Sequence, residues 1–153
     1  MPNHTTPPPS IKPALESLET LFAAPMVPGE HVAWTESLTA EWQALEPQIR
    51  QHLGAHEQQY KQMLEVDQEM FKRVELLRQE DQAIAADLDG LGELIERLRL
   101  KTPVAVPNEA RTDTDREALS DRGLEFVMRL RKQEGAIDTW FSEAFNRDRG
   151  AGD

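Results

Sequence analysis

Two of the four histidines of this chain lie one helical turn apart. His52 and His56 stand in the stretch QHLGAHEQQY, and Glu57 follows them directly. On a helix, side chains four residues apart share a face, and two imidazoles with a carboxylate are usual ligands for one metal ion. A metal site with His52, His56 and Glu57 is therefore one interpretation of this stretch.

A metal site needs further ligands, and the rest of the sequence does not supply an obvious set. The chain has no cysteine, and it lacks the Glu-x-x-His pairs that carboxylate-bridged di-iron bundles place on two helices. His4 lies near the N-terminus and His31 at the start of a predicted helix. We therefore expect no bound metal or cofactor, and a metal- or cofactor-binding bundle that uses His52 and His56 stays the alternative.

Other catalytic arrangements are not indicated. The sequence contains no glycine-rich phosphate loop after a strand, and no Ser-His-Asp or Ser-Lys arrangement in a supporting context. Asp67 and Asp81 would lie about 21 Å apart on a straight helix. That separation is too large for two carboxyl groups that act on one bond, so we predict a protein that is not an enzyme.

Composition indicates an all-α protein of one domain. The chain has 153 residues, of which 29% are charged and 6% aromatic, and it is rich in residues that favour helices. Its net charge of −11 argues against nucleic acid and against an anionic membrane surface as partners. No apolar run is long enough to span a membrane. Without cysteines or a signal peptide pattern, the chain is expected in the cytoplasm.

Prolines and apolar patterning divide the chain into four parts. Residues 1–13 hold five of the ten prolines and are predicted to be a disordered tail. Residues 14–29 are predicted to form a short amphipathic helix and a linker. Residues 30–147 are predicted to form a helical coiled-coil or bundle domain, and residues 148–153 a disordered tail.

The most informative pattern runs from Ile49 to Leu98, where apolar residues recur at alternating steps of four and three without a slip in register. Such a heptad repeat is typical of a left-handed coiled coil. We predict one long central helix that self-associates through this seam, as a homodimer, with Gly90 and Gly92 as a weak point. The seam positions are Leu53, His56, Tyr60, Met63, Asp67, Met70, Val74, Leu77, Asp81, Ile84, Leu88, Leu91, Ile95 and Leu98.

Polar residues interrupt this seam at His56, Asp67 and Asp81. A polar group on a coiled-coil seam weakens association but can specify register and oligomer number. Two interpretations of the aspartates stay open. Either an arginine of the last helix, such as Arg129 or Arg131, pairs with them, or the seam is locally open to water.

Helices are predicted on both sides of the central one. The preceding helix begins near Glu30, and Pro47 predicts a break or a strong kink in it, because proline removes a backbone hydrogen bond and clashes with the turn before it. After a proline-bearing linker, Thr114 and Glu117 form a capping box that predicts the start of the last helix. This helix is expected to pack on the central one and to end near Arg147.

Two apolar sets are candidate partner-binding surfaces, one on the short helix and one near the end of the last helix. Each set can instead pack on the core of its own chain. The residues are Leu15, Leu18, Leu21 and Phe22 in the first set and Trp140, Phe141 and Phe145 in the second. The sequence thus favours a non-catalytic protein–protein interaction module, such as a scaffold, adaptor or chaperone-like subunit, with a protein partner that it does not identify.

Overall fold

The computed structural model describes residues 10–25, 27, 29–101 and 109–151. In this part of the chain the secondary structure is helical, without strands, which confirms the predicted all-α class. The helices are α1 (Lys12–Ala23), α2 (His31–Val66), α3 (Phe71–Lys101) and α4 (Glu109–Ala151). A short 3₁₀ turn, Gln68–Met70, joins α2 to α3.

The two long helices α2 and α3 form an antiparallel hairpin. Arg50 of α2 pairs with Asp89 of α3, and Glu57 of α2 pairs with Arg78 of α3. The partners therefore run in opposite directions along the two helices. The helices pack antiparallel because the connection between them is short. A few residues can reverse the direction of the chain, but they cannot span the length of a helix as parallel packing would require.

Helix α4 returns along α3 in the opposite direction and lies beside α2. Arg129 of α4 pairs with Glu80 of α3 at 2.5 Å, and farther along α4, Glu143 pairs with Arg73 at 3.3 Å. α1 packs against α4 and α2, and its buried residues belong to the cluster away from the turn between α2 and α3. The bundle therefore has four helices at one end and three at the end where α2 turns into α3.

The short helix α1 belongs to the same core as the long helices. Its residues Leu15, Leu18 and Phe22 are at most 2% exposed. They pack in a cluster with buried residues of α2, α3 and α4, whereas Leu21 remains partly exposed. The stripe that the sequence offered as a partner-docking surface is thus buried in its own chain.

The predicted continuous helix from Ile49 to Leu98 is wrong at Asp67. The backbone of Asp67 is extended, with φ −146° and ψ 100°, and its side chain accepts a hydrogen bond from the amide of Glu69 at 3.0 Å. Aspartate caps a new helix better than it continues an old one. Because the seam residues on either side, Met63 and Met70, are both buried, the repeat continues across the turn and conceals it.

The heptad seam is the core of one chain. Eleven of its fourteen positions are buried, and Leu53, Asp67 and Asp81 are partly exposed. Ten of the eleven buried positions pack against the neighbouring helices in two clusters, one around α1 and one near the hairpin turn, and the eleventh is the polar residue His56. The seam is thus not a free oligomerisation surface, and a dimer would have to form elsewhere.

Helix α2 continues through Pro47, so of the two outcomes that the sequence predicted there, a break or a strong kink, the break does not occur. The proline removes the hydrogen bond to the carbonyl of Gln43, and both residues are exposed, so water can bond to that carbonyl instead. Buried residues before and after the proline, Trp42 and Ile49, hold both parts of the helix on the core. Packing therefore outweighs the local cost of the proline.

The ends of α4 also differ from the prediction. The helix begins at Glu109, five residues before the predicted cap Thr114, and it extends to Ala151. Much of the predicted tail 148–153 is therefore helical. Of the predicted N-terminal tail, residues 1–9 lie outside the described part of the chain, and Pro13 stands in the first turn of α1.

None of the described helices combines the length and the apolar composition that crossing a bilayer requires.

Candidate metal centre

His52 and His56 meet a carboxylate of α4 inside the bundle. His52 Nε2 lies 2.6 Å and His56 Nε2 2.7 Å from the same atom, Glu134 Oε1. The side chain of His56 is fully buried, whereas those of His52 and Glu134 are 11% and 25% exposed. Two imidazoles and a carboxylate therefore converge on one point, with one edge near the surface.

Helix geometry accounts for the position of the two imidazoles. His52 and His56 are four residues apart on α2, and their rings lie edge to face with centroids 4.9 Å apart. Glu134 comes from α4, which runs beside this part of α2. The three ligand atoms lie within 4.8 Å of one another. The predicted ligand Glu57 does not take part, because it faces α3 and forms hydrogen bonds to Arg78 at 2.6 and 3.1 Å.

The second ring nitrogen of His56 is held by an aspartate of α3. His56 Nδ1 lies 3.0 Å from Asp81 Oδ1. Asp81 also accepts hydrogen bonds from the hydroxyl of Tyr60 at 2.7 Å and from the amide of Gln133 at 3.0 Å. Gln133 in turn donates to the carbonyl of Leu77 at 2.8 Å. Each polar group in this interior network thus has a partner, which orients the imidazole of His56.

His52 is less constrained than His56. Its Nδ1 is buried and has no hydrogen-bond partner among the described residues. The two histidines therefore differ in their support. His56 is oriented by a carboxylate on each side, and His52 by Glu134 alone.

The charges in this network shift the pKa of its two oppositely charged members, His56 and Glu134. Burial alone would lower the pKa of His56, but hydrogen bonds and charge from Asp81 and Glu134 outweigh it and raise the pKa to about 9. Burial would raise the pKa of Glu134, but hydrogen bonds from His52 and His56 lower it to about 2. The site thus favours positive charge placed between two carboxylates.

Tyr60 is the chain's one tyrosine, and it is 1% exposed. Burial raises the pKa of its phenol, and the hydrogen bond to Asp81 raises it further. The hydroxyl therefore stays protonated and donates to Asp81 across the usual pH range.

Sequence reasoning found one half of this site and missed the other. One of the two interpretations left open for Asp81 was a pair with an arginine of α4, but Arg129 pairs with Glu80 and Asp87, and Arg131 with Glu19. Gln133 and Glu134 were not recognised. A signal was present: they lie between Leu130 and Ile137, where helical spacing demands an apolar residue.

The aromatic set near the end of α4 is partly exposed. Trp140 and Phe141 are half-buried against the cluster near the hairpin turn, and Phe145 is 36% exposed. The guanidinium of Arg73 lies 4.0 Å from the centre of the Trp140 ring. This set therefore combines core packing with an exposed surface.

The fold and the site define a class: an all-α bundle with a histidine–carboxylate network in its interior. No protein-family model, no curated protein and no solved structure matches the chain. Arguments about function therefore rest on the geometry of the site.

Proposed function

We propose that this chain binds a divalent transition-metal ion through His52, His56 and Glu134. The observation that carries the proposal is the convergence of both Nε2 atoms on Glu134 Oε1, at 2.6 and 2.7 Å. Nitrogen and carboxylate oxygen are ligands that suit Zn²⁺ and its neighbours in the first transition series. This was the alternative that the sequence left open, and Glu134 is the ligand that it lacked.

The spacing of the three atoms supports this assignment. Ligand atoms of a tetrahedral zinc site lie about 3.3 Å apart, because each bond is about 2.0–2.1 Å long. Binding would require each Nε2 atom to move away from Glu134 Oε1 by about 0.6 Å. All three ligand atoms already lie within 4.8 Å of one another, so rotations of the side chains can bring them to this spacing.

The partners of His56 support it as well. Histidines that bind metals usually donate their other ring N–H to a carboxylate, which orients the ring and makes it a stronger ligand. Asp81 occupies that position. Asp81 and Glu134 together carry two negative charges, which a divalent cation bound to neutral imidazoles would balance.

Metal analysis of protein without a histidine tag tests the proposal. After treatment with a chelator, the protein should take up one equivalent of Zn²⁺ in competition with a chromophoric chelator. Glu134→Gln should lose this binding while its circular dichroism spectrum stays helical. Glu57→Gln is the matched control, since Glu57 follows His56 but pairs with Arg78, and it should bind as the native protein does. Native protein without stoichiometric zinc, or unchanged binding by Glu134→Gln, would overturn the proposal.

A second candidate function is protein–protein interaction, without catalysis, as the sequence suggested. The observation that favours it is the exposure of aromatic side chains near the start of α3 and near the end of α4. Phe71 is 57% and Phe145 36% exposed, and the ring of Phe145 packs on Phe141 with centroids 4.6 Å apart. We name Phe71, Phe141 and Phe145 the hairpin-end surface. Exposed aromatic groups of this kind are frequent in binding interfaces.

This candidate includes the expected homodimer, which would form through the hairpin-end surface and not through the seam. The net charge of −11 favours a protein over a nucleic acid as the partner, and the cytoplasm stays the expected location. Sedimentation equilibrium tests the dimer. The double variant Phe71→Ser/Phe145→Ser should be monomeric at concentrations at which the native chain is dimeric, whereas Leu76→Ser, which changes an exposed leucine of α3, should not. A native chain that sediments as a monomer removes the dimer.

A further inference from the structure

A groove leads from the surface to the candidate metal ligands. It lies between α1, α2 and the middle of α4, and it encloses about 550 Å³. His52 and Glu134 line it, together with Lys12, Gln59 and Gly135. Sites for small molecules have volumes of this order, so the groove can admit a small ligand as far as the two exposed members of the cluster.

The interior side of the cluster is closed. His56 is fully buried and is not part of the groove lining, and its far nitrogen is occupied by Asp81. The network of Tyr60 and Gln133 around Asp81 fills the space behind it. A coordination position of the ion that the protein leaves open would therefore face the groove.

Among the described residues, the candidate metal site has three ligands, from His52, His56 and Glu134. Structural zinc sites have four protein ligands, whereas sites with three keep a position for water or an exogenous ligand. Histidine–carboxylate sites for other divalent metals likewise leave positions open. Three protein ligands thus leave a coordination position open, and the groove reaches the ion from the side on which that position would lie.

Charge indicates the kind of ligand. An ion of charge +2 bound by neutral His52 and His56 and by ionised Glu134 has a net charge of +1 with its direct ligands, and the balancing charge of Asp81 lies behind His56, on the side away from the groove. Among the other groove residues, two bases, Lys12 and Arg131, offset two acids, Glu16 and Asp138. The bound ion is therefore the source of attraction in the groove, and it attracts a small anion with an oxygen donor.

We infer that the metal ion keeps a coordination position open to this groove and that a small carboxylate ligand binds directly to the ion there. The inference rests on the proposed metal site and adds the ligand that the site takes. It assigns no chemical reaction to the chain.

Cobalt spectroscopy tests the inference, because the visible spectrum of Co²⁺ reports a change in its ligands. The full chain is loaded with Co²⁺ and titrated with sodium acetate, with sodium perchlorate as the control for ionic strength. We expect acetate to change the spectrum in a saturable manner and perchlorate to leave it unchanged.

Two glycines provide matched variants. Gly135 lines the groove, Gly54 lies on α2 outside the lining, and a side chain at either would meet no atom within 4 Å at its Cβ. Gly135→Leu should narrow the groove, so it should bind Co²⁺ but lose the response to acetate. Gly54→Leu should keep both properties.

The outcomes separate the two proposals. Absence of Co²⁺ binding by the native chain would overturn the metal site and the inference together. Stoichiometric Co²⁺ with a spectrum that acetate does not change would overturn the inference alone. An acetate response in Gly135→Leu equal to that of the native chain would show that the ligand does not enter by this groove, which also overturns the inference.

Discussion

His56 of α2 donates a hydrogen bond from Nδ1 to Asp81 of α3 at 3.0 Å. The direction follows from the partners, because an ionised carboxylate only accepts and Asp81 receives two further hydrogen bonds, from Tyr60 and Gln133. At neutral pH, metal-free His56, whose pKa is about 9, also carries a proton on Nε2 and donates it to Glu134. A bound ion would displace this second proton, and the hydrogen bond to Asp81 keeps the first on Nδ1, so Nε2 is the nitrogen that the pair directs to the ion.

Asp81→Asn should weaken zinc binding by about 10- to 100-fold, the usual effect of removing the carboxylate behind a metal-bound histidine. The amide keeps the shape of the side chain but loses the charge that makes His56 a strong ligand. A competition titration with a chromophoric chelator measures the change. Asp89→Asn is the control, since Asp89 lies on the same helix, is 62% exposed and pairs with Arg50. Equal zinc affinity in Asp81→Asn and the native chain would show that Asp81 does not support the site.

Tyr60 should resist ionisation in the folded protein. The raised pKa of its phenol is the combined result of burial and of Asp81, with Glu134 adding to it and the hydrogen bond from Gln133 acting against it. A folded pKa above the unfolded value of about 10 means that its contribution to stability is complete below that pH and is lost as pH rises further. The free energy of unfolding should therefore fall above pH 10, by up to about 1.4 kcal/mol per pH unit.

Phenolate absorbance measures this directly, because the chain has a single tyrosine. The absorbance should appear only together with the loss of helical circular dichroism. In metal-free protein His56, whose pKa is about 9, is already neutral in this range and does not contribute. Tyr60→Phe should remove the pH dependence above pH 10. Half-ionisation near pH 10 in protein that is still helical would contradict the prediction.

Leu18→Ala should destabilise the protein by about 2–5 kcal/mol, as deletion of a fully buried leucine side chain usually does. Leu18 is 0% exposed and belongs to the core cluster through which α1 packs on the other helices. Leu100→Ala, at a leucine that is 59% exposed, should change stability by less than about 0.5 kcal/mol. Urea denaturation followed by circular dichroism gives both values. A small effect of Leu18→Ala would mean that α1 leaves the bundle readily, as a docking segment would.

Gly123→Ala should destabilise the protein by about 1–2 kcal/mol, since overpacking outweighs the better helix propensity of alanine. A Cβ at residue 123 would lie 2.5 Å from the ring of Phe22, which is itself buried. Gly135→Ala, where the same Cβ meets nothing within 4 Å, should instead stabilise α4 by about 0.5–1 kcal/mol. Thermal denaturation of the two variants should give shifts of opposite sign, and a stabilised Gly123→Ala would contradict the close packing of α1 on α4.

Much of the fold could be predicted from periodicity. The all-α class and the inward face from Leu53 to Leu98 follow from the spacing of apolar residues, which records which side of a helix leaves water. The turn at Asp67 could not be found in this way. A repeat that keeps its phase across a turn has the same spacing whether the chain continues or reverses, so the pattern contains no information about the choice.

Part of the candidate site could likewise be predicted from the sequence, and part of it could not. Sequence alone determined that His52 and His56 share a helix face and that His56 and Asp81 are polar residues at apolar positions, because helix geometry is local. Only the tertiary structure decided that Glu134 joins them, that Glu57 does not, and that Asp81 meets a histidine and not an arginine. Those contacts join residues 25 to 82 positions apart, and they depend on how α3 and α4 are placed around α2, which follows from the packing of the whole core.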